Sequence, residues 1–256
     1  MVIVGFVLPS VEAQTTYSVT VSITGIPSTL TTNVYVDGVF NTTMAGGQSS
    51  AFTFSISTNS HVFTVDLYLP NSVGTNGTRY LVQDASWNFN ASGTHVFTYR
   101  AQYYLTVQTT YSTSKGQGWY DSGTSVQAIL NESEVDEAQG TREVFTGWSG
   151  DASGTDLTSN QMSMTAPKIA IANWKTQFYL TVTSDPPNLT GLSGNGWYDS
   201  ASQANFSAAA VVPASDNSRL RFDHWGGDYV GPSATASITM DRPKTVKASY
   251  VGWKRT

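Results

Sequence analysis

The chain has 256 residues, with 13 Lys+Arg against 18 Asp+Glu and a formal net charge of −5. Charged residues are 12%, roughly half the usual share of about 25%, while hydrophobic residues reach 39% and aromatics 12%, too many for a disordered chain. Cysteine is absent and the basic residues are scattered, which removes a disulfide framework, a thiolate nucleophile, Cys-ligated zinc and a nucleic-acid footprint.

In chain order the first segment is Met1–Ala13, MVIVGFVLPSVEA. It has the apolar run and small-residue end of a secretory signal, without a positive start. Within it Val2–Leu8 reads as an uncharged first strand, Val2, Val4 and Phe6 alternating with Ile3, Gly5 and Val7. A retained strand of this kind predicts a subunit interface formed by Val2, Ile3, Val4, Phe6, Val7 and Leu8, lent to a second copy. The run is too short to span a bilayer, which needs about 20 apolar residues, and no later stretch is long enough.

From Thr15 to Tyr99 the pattern is period two: Tyr17, Val19, Val21 and Ile23; Val34 and Val36; Phe52, Phe54 and Ile56; Phe63, Val65 and Leu67. Asp37-Gly38 between apolar runs predicts a type I′ hairpin turn. About a quarter of the chain is Ser or Thr, which favours strands and turns over helices. These features predict a sandwich-like β domain over residues 15–100.

Beyond residue 100 the chain repeats itself. Gln102-Tyr103-Tyr104-Leu105-Thr106-Val107 recurs as Gln177-Phe178-Tyr179-Leu180-Thr181-Val182, and Gly116–Ser122 as Gly194–Ser200. Phe145-Thr146-Gly147-Trp148-Ser149-Gly150-Asp151 recurs as Phe222-Asp223-His224-Trp225-Gly226-Gly227-Asp228. Met164-Thr165-Ala166-Pro167-Lys168 recurs as Met240-Asp241-Arg242-Pro243-Lys244. The copies are collinear, so the expected architecture is all-β. Three small antiparallel domains stand in tandem: 15–100, 101–176 and 177–256, preceded by the signal-like or donor-strand segment 1–14. The segment Glu132–Gln139 is acidic, lacks an apolar face, and reads as a solvated hairpin loop.

The order Y-x-L-T-V, G-x-G-W-Y-x-x-G, F-x-G-W-S-G-D, M-x-x-P-K, A-x-W resembles the divergent internalin-type B-repeat found in tandem on bacterial and archaeal surface proteins. The match covers about residues 101–251. The resemblance implies a β-grasp-like or sandwich module used as a stalk or interaction unit, without catalysis. The second copy departs at Ala201, where the first has Gly123, and at His224, where it has Gly147.

Residue chemistry adds a cellular address more than a reaction. Asn-x-Ser/Thr glycosylation acceptors stand at Asn41, Asn76, Asn90, Asn131, Asn188 and Asn205. His61, His95 and His224 have no metal-ligand spacing, and no nucleophile elbow, phosphate loop or dinucleotide fingerprint is present. Asp151, Asp156 and Asp228 could build a calcium loop, but their spacing is not that of one, and they read as turn caps beside the core anchors Trp148 and Trp225. Trp119 and Trp197 recur at matched positions, which predicts packing over sugar stacking.

The expected function is a non-enzymatic extracellular or cell-surface structural glycoprotein, a filament or stalk subunit joined head to tail by donor-strand addition. Its expected partners are copies of itself and possible contacts with surface glycans or other surface proteins. No cofactor, metal, nucleic acid or membrane span is expected. The alternative is a carbohydrate-binding or adhesion accessory module of a larger secreted protein.

Overall fold

The structure, a computed structural model, describes residues 15–56, 59–70, 77–214 and 218–253. Every regular element in them is a strand. The N-terminal region contributes β1 (Thr16–Thr24), β2 (Thr31–Val36), β3 (Val39–Ala45), β4 (Ser49–Ser55) and β5 (His61–Val65). After these come β6 (Tyr68–Leu69), β7 (Thr78–Val82), β8 (Ser86–Phe89) and the long β9 (Gly93–Gln108). The first repeat adds β10 (Ser114–Lys115), β11 (Gly118–Asp121), β12 (Ser125–Val126), β13 (Ile129–Leu130), β14 (Glu134–Ala138), β15 (Thr141–Gly150) and β16 (Met162–Ser163). The longest strand, β17 (Lys168–Asp185), leads into β18 (Leu192–Ser193), β19 (Gly196–Asp199), β20 (Gln203–Ala208) and β21 (Val211–Pro213). The chain closes with β22 (Arg219–Gly227), β23 (Thr235–Thr239) and β24 (Lys244–Trp253).

Packing divides the chain into two compact units. One holds the described residues up to Thr106 together with Gly118–Val126 and Ser163–Lys168; the other holds Val107–Gln117, Gln127–Met162 and the described residues from Ile169 onward. The division runs through the first repeat. The reason is strand pairing: its Gly-Trp-Tyr-Asp strand β11 pairs with β9, while its Phe-Thr-Gly-Trp strand β15 pairs with β17.

In the first unit β1 pairs antiparallel with β4 and parallel with β9, and β9 continues antiparallel to β7. A second sheet runs β3-β2-β5-β8. The period-two pattern of β1 sends Val19, Val21 and Ile23 inward to zero exposure, where they meet Val34, Met44 and Phe63 of the second sheet. The predicted Asp37-Gly38 turn is there, with φ of 51° and 79°. One buried polar link ties the layers. Tyr99 donates to the Asp66 carbonyl at 2.6 Å and shares a hydrogen bond with Thr32 at 2.8 Å. Burial pushes its hydroxyl up to about 12.

In the second unit β17 pairs antiparallel with β15 and β19 and parallel with β24, which pairs in turn with β22. Beside it stands the sheet β18-β20-β23. Leu180, Phe206, Trp225, Met240, Val246 and Ala248 form the core of the second repeat. Their first-repeat counterparts Trp148, Met164 and Ala172 are buried as well. One expectation changes. Glu134–Ala138, read as part of a loop, is the strand β14, paired with β15 across a bulge at Asp136/Ala138. It is polar because it is an exposed edge, and pairing alone makes it a strand.

Candidate functional site

Five of the six glycosylation acceptors lie in described residues. Asn41, Asn90, Asn131, Asn188 and Asn205 are all exposed. Asn76, and the proposed interface residues Val2, Ile3, Val4, Phe6, Val7 and Leu8, lie outside the described residues. Asn188 sits in a turn at φ 64°, and the Asn131 amide donates to Thr113.

The aspartates of the Trp motifs act as caps. Asp151 accepts from the Ile169 N–H at 2.9 Å and Asp228 from the Thr245 N–H at 2.7 Å. Trp148 Nε1 donates to the Asp156 carbonyl at 3.0 Å, and Trp225 Nε1 makes the matching bond to Ser233 at 2.9 Å. Among the described residues no group of three or more His, Asp or Glu side chains is placed to hold a metal ion. His61 pairs with Asp37 at 2.7 Å and His224 with its neighbour Asp223 at 2.8 Å. His95 stacks on Trp87 at 4.8 Å, and burial holds its imidazole below the ordinary value.

Trp119 and Trp197 behave differently from Trp148 and Trp225. They are half-buried, and each is the centre of a cluster that occurs once in each unit. In the first unit Gln102 of β9 lies in register between Arg79 of β7 and Asp121 of β11. Arg79 Nε donates to Gln102 Oε1 at 2.7 Å, and Gln102 Nε2 donates to Asp121 Oδ1 at 2.7 Å. In the second unit Gln177 of β17 lies between Arg142 of β15 and Asp199 of β19. There the two bonds are 2.9 and 2.7 Å.

Two residues on from each Gln, on the same face by strand alternation, stands a Tyr edge-on to the Trp. Tyr104 meets Trp119 and Tyr179 meets Trp197, both at 5.2 Å. The guanidinium closes the cluster from above, Arg79 at 4.4 Å from the Trp119 ring and Arg142 at 4.5 Å from Trp197.

Each Arg ends a Gly-Thr-Arg turn, and the glycine is required. Gly77 (φ +70°) and Gly140 (φ +74°) give their carbonyls to the Tyr104 and Tyr179 N–H groups at 2.9 and 2.8 Å. A Cβ on either would stand 2.9 Å from Pro167 or 3.0 Å from Pro243, the prolines of the Met-x-x-Pro-Lys motif. So Gly-Thr-Arg, Gln-x-Tyr, Gly-Trp-Tyr-Asp and Pro-Lys, dispersed in sequence, converge as one clasp. In the second unit the clasp joins the first repeat's hairpin to the second repeat's strands.

No family model, curated protein or solved structure matches the chain.

The clasp is built for holding. Its polar groups satisfy one another across three strands, and a guanidinium covers one face of each Trp. Sequence reading found the Trp, Gln and Pro motifs but missed Arg79 and Arg142. The tripeptide Gly-Thr-Arg does occur at 77–79 and 140–142, a signal outside the repeat register that could have flagged both. The Trp197 ring also borders a groove of about 390 Å³ with Gly140, Tyr179, Pro243 and Lys244.

Proposed function

We propose that this chain is a non-enzymatic structural subunit of an extracellular assembly, built from tandem β modules and joined to copies of itself by strand addition through residues 2–8. The observation that supports this best is the clasp. A joint that recurs with the same row, ring contact and glycine–proline contact fixes how one strand set meets the next, which a load-bearing or spacing element needs. The exposed sequon asparagines support an exported, glycan-coated surface, and an uncharged N-terminal run suits pairing with another sheet. The motif order that resembles surface-protein B-repeats agrees with it.

The test is native material. Electron microscopy is expected to show polymers, and mass spectrometry is expected to show a chain that retains residues 2–8 and weighs more than the bare 27.5 kDa. Single particles, or a mature chain beginning near Gln14, would overturn the assembly.

The groove beside Trp197 favours one second reading, a carbohydrate-binding accessory module. Chemical-shift changes confined to Trp197 and Tyr179 on titration with oligosaccharides would establish it.

A further inference from the structure

A strand with a free side is a template for other chains, and most such strands in this protein are blunted. β3 carries the sequon Asn41 and β8 runs into Asn90. β14 bears Glu134, Asp136 and Glu137, β21 is three residues ending in Pro213, and β6, β10 and β18 have two residues each. β23 lies beside the sequon Asn205 of β20.

β4 has none of these devices. Its seven residues, Ser-Ser-Ala-Phe-Thr-Phe-Ser, hold no charge, proline or sequon. Among the described residues it pairs with β1 alone. The flanking bonds give the parity of its free side. Ile23 N donates to Gln48 O at 3.0 Å and Ile56 N to Thr15 O at 2.9 Å, so even-numbered residues bond to β1. Ser49, Ala51, Thr53 and Ser55 therefore direct their N–H and C=O groups outward.

The core is also open along this edge. Phe52 and Phe54 point inward yet are half-buried, and Ile56 is 61% exposed. Tyr17, stacked on Phe54 at 5.7 Å, is only 8% exposed, and its hydroxyl has no hydrogen-bond partner among the described residues. A buried unpaired hydroxyl is costly.

We propose that the outer side of β4 is the acceptor for residues Val2–Leu8 of a second copy of this chain. The inference rests on the assembly reading above and gives it a docking surface. The donor run has seven uncharged residues, the length of β4. Its backbone supplies partners to the four outward-directed residues. Val2, Val4, Phe6 and Leu8 face inward over Phe52 and Phe54, while Ile3, Gly5 and Val7 lie on the outer face beside Ala51 and Thr53.

The chain has no cysteine, so single introduced thiols report unambiguously. Full-length Thr53→Cys is mixed in turn with Ile3→Cys, Gly5→Cys and Val7→Cys and treated with a short bis-thiol cross-linker. One pairing is expected to give at least tenfold more heterodimer than Thr53→Cys mixed with Asn188→Cys. Heterodimer no more abundant than that control for all three pairings overturns the proposal.

Thr53→Pro is the second arm. It deletes an outward N–H and spares the β1 pairing, so folded protein is expected with polymer reduced at least tenfold. Assembly of a folded Thr53→Pro protein at wild-type level overturns β4 as acceptor while leaving self-assembly standing. Should Thr53→Pro fail to fold, the cross-linking decides. A wild-type chain that stays monomeric at every concentration overturns both readings.

Discussion

In the first clasp the Arg79 guanidinium lies between two rings, Tyr68 and Trp119, each 4.4 Å from it. In the second, Arg142 covers Trp197 at 4.5 Å and donates to Glu134 at 2.7 Å. The Arg–Gln–Asp row beneath is the same. What differs is the second contact of the cation, aromatic in one unit and carboxylate in the other, and the second clasp adds Lys175 at 2.9 Å from Asp199. A planar cation serves both, because it can stack on a ring with its face and donate with its edge. The row is thus the common joint, and the local strand supplies whatever completes it.

The largest expected effect comes from the rings. Trp119→Ala and Trp197→Ala should each cost about 2–3 kcal/mol, below the ~3–5 kcal/mol expected for the fully buried Trp225. Trp119→Ala leaves Arg79 stacked on Tyr68, whereas Trp197→Ala leaves Arg142 its polar bonds to Gln177 and Glu134 but no ring contact, so the second variant should lose more. Urea denaturation followed by amide exchange in each unit checks the order. Equal losses at Trp119 and Trp225 would mean that the clasp rings are core.

Next come the glycines. Gly77→Ala and Gly140→Ala each force a Cβ into positive φ and against a proline, at about 1–3 kcal/mol. The two contacts are nearly equal, so the two losses should match. A neutral Gly140→Ala would break the equivalence of the joints.

Salt separates the clasps more finely. Raising ionic strength to about 1 M should weaken the second clasp by roughly 0.5 kcal/mol through the half-exposed Arg142–Glu134 pair. The first should scarcely change, and Arg142→Ala should reduce the difference to the part carried by the Lys175–Asp199 pair.

Acid gives the smallest effect and separates the units by window. Burial lowers the His95 imidazole from 6.5 against the pull of Asp84. The unfolded chain therefore takes up the proton first, and stability present above pH 6.5 declines as pH falls toward the folded value. In the second unit the Gln177 amide, then Lys175, holds the Asp199 carboxyl below 3.8. That contribution is present above pH 3.8 and is lost as pH falls through the lowered value. Amide exchange should show the first unit loosening once pH falls below 6.5 and the second only below 3.8; simultaneous loosening would contradict both assignments.

Much of this was legible along the chain because it is local. Alternation in Tyr17–Ile23 set the inward face of β1, Asp37-Gly38 set the turn between β2 and β3, and repetition of Trp148 and Trp225 marked matching cores. These signals depend on residue period and on φ, which neighbouring residues impose on each other. The clasps were another matter. Arg79 meets Gln102 and Asp121, and Arg142 meets Gln177 and Asp199, only because three strands come into register. The same holds for β14, whose acidic residues have no strand period of their own, and for β4, which among the described residues pairs with β1 alone. Local sequence determined which residues can lie in a strand and which face they turn inward. Tertiary structure decided which strand lies beside which, since backbone pairing is indifferent to side-chain identity and register is settled by packing across the sheet.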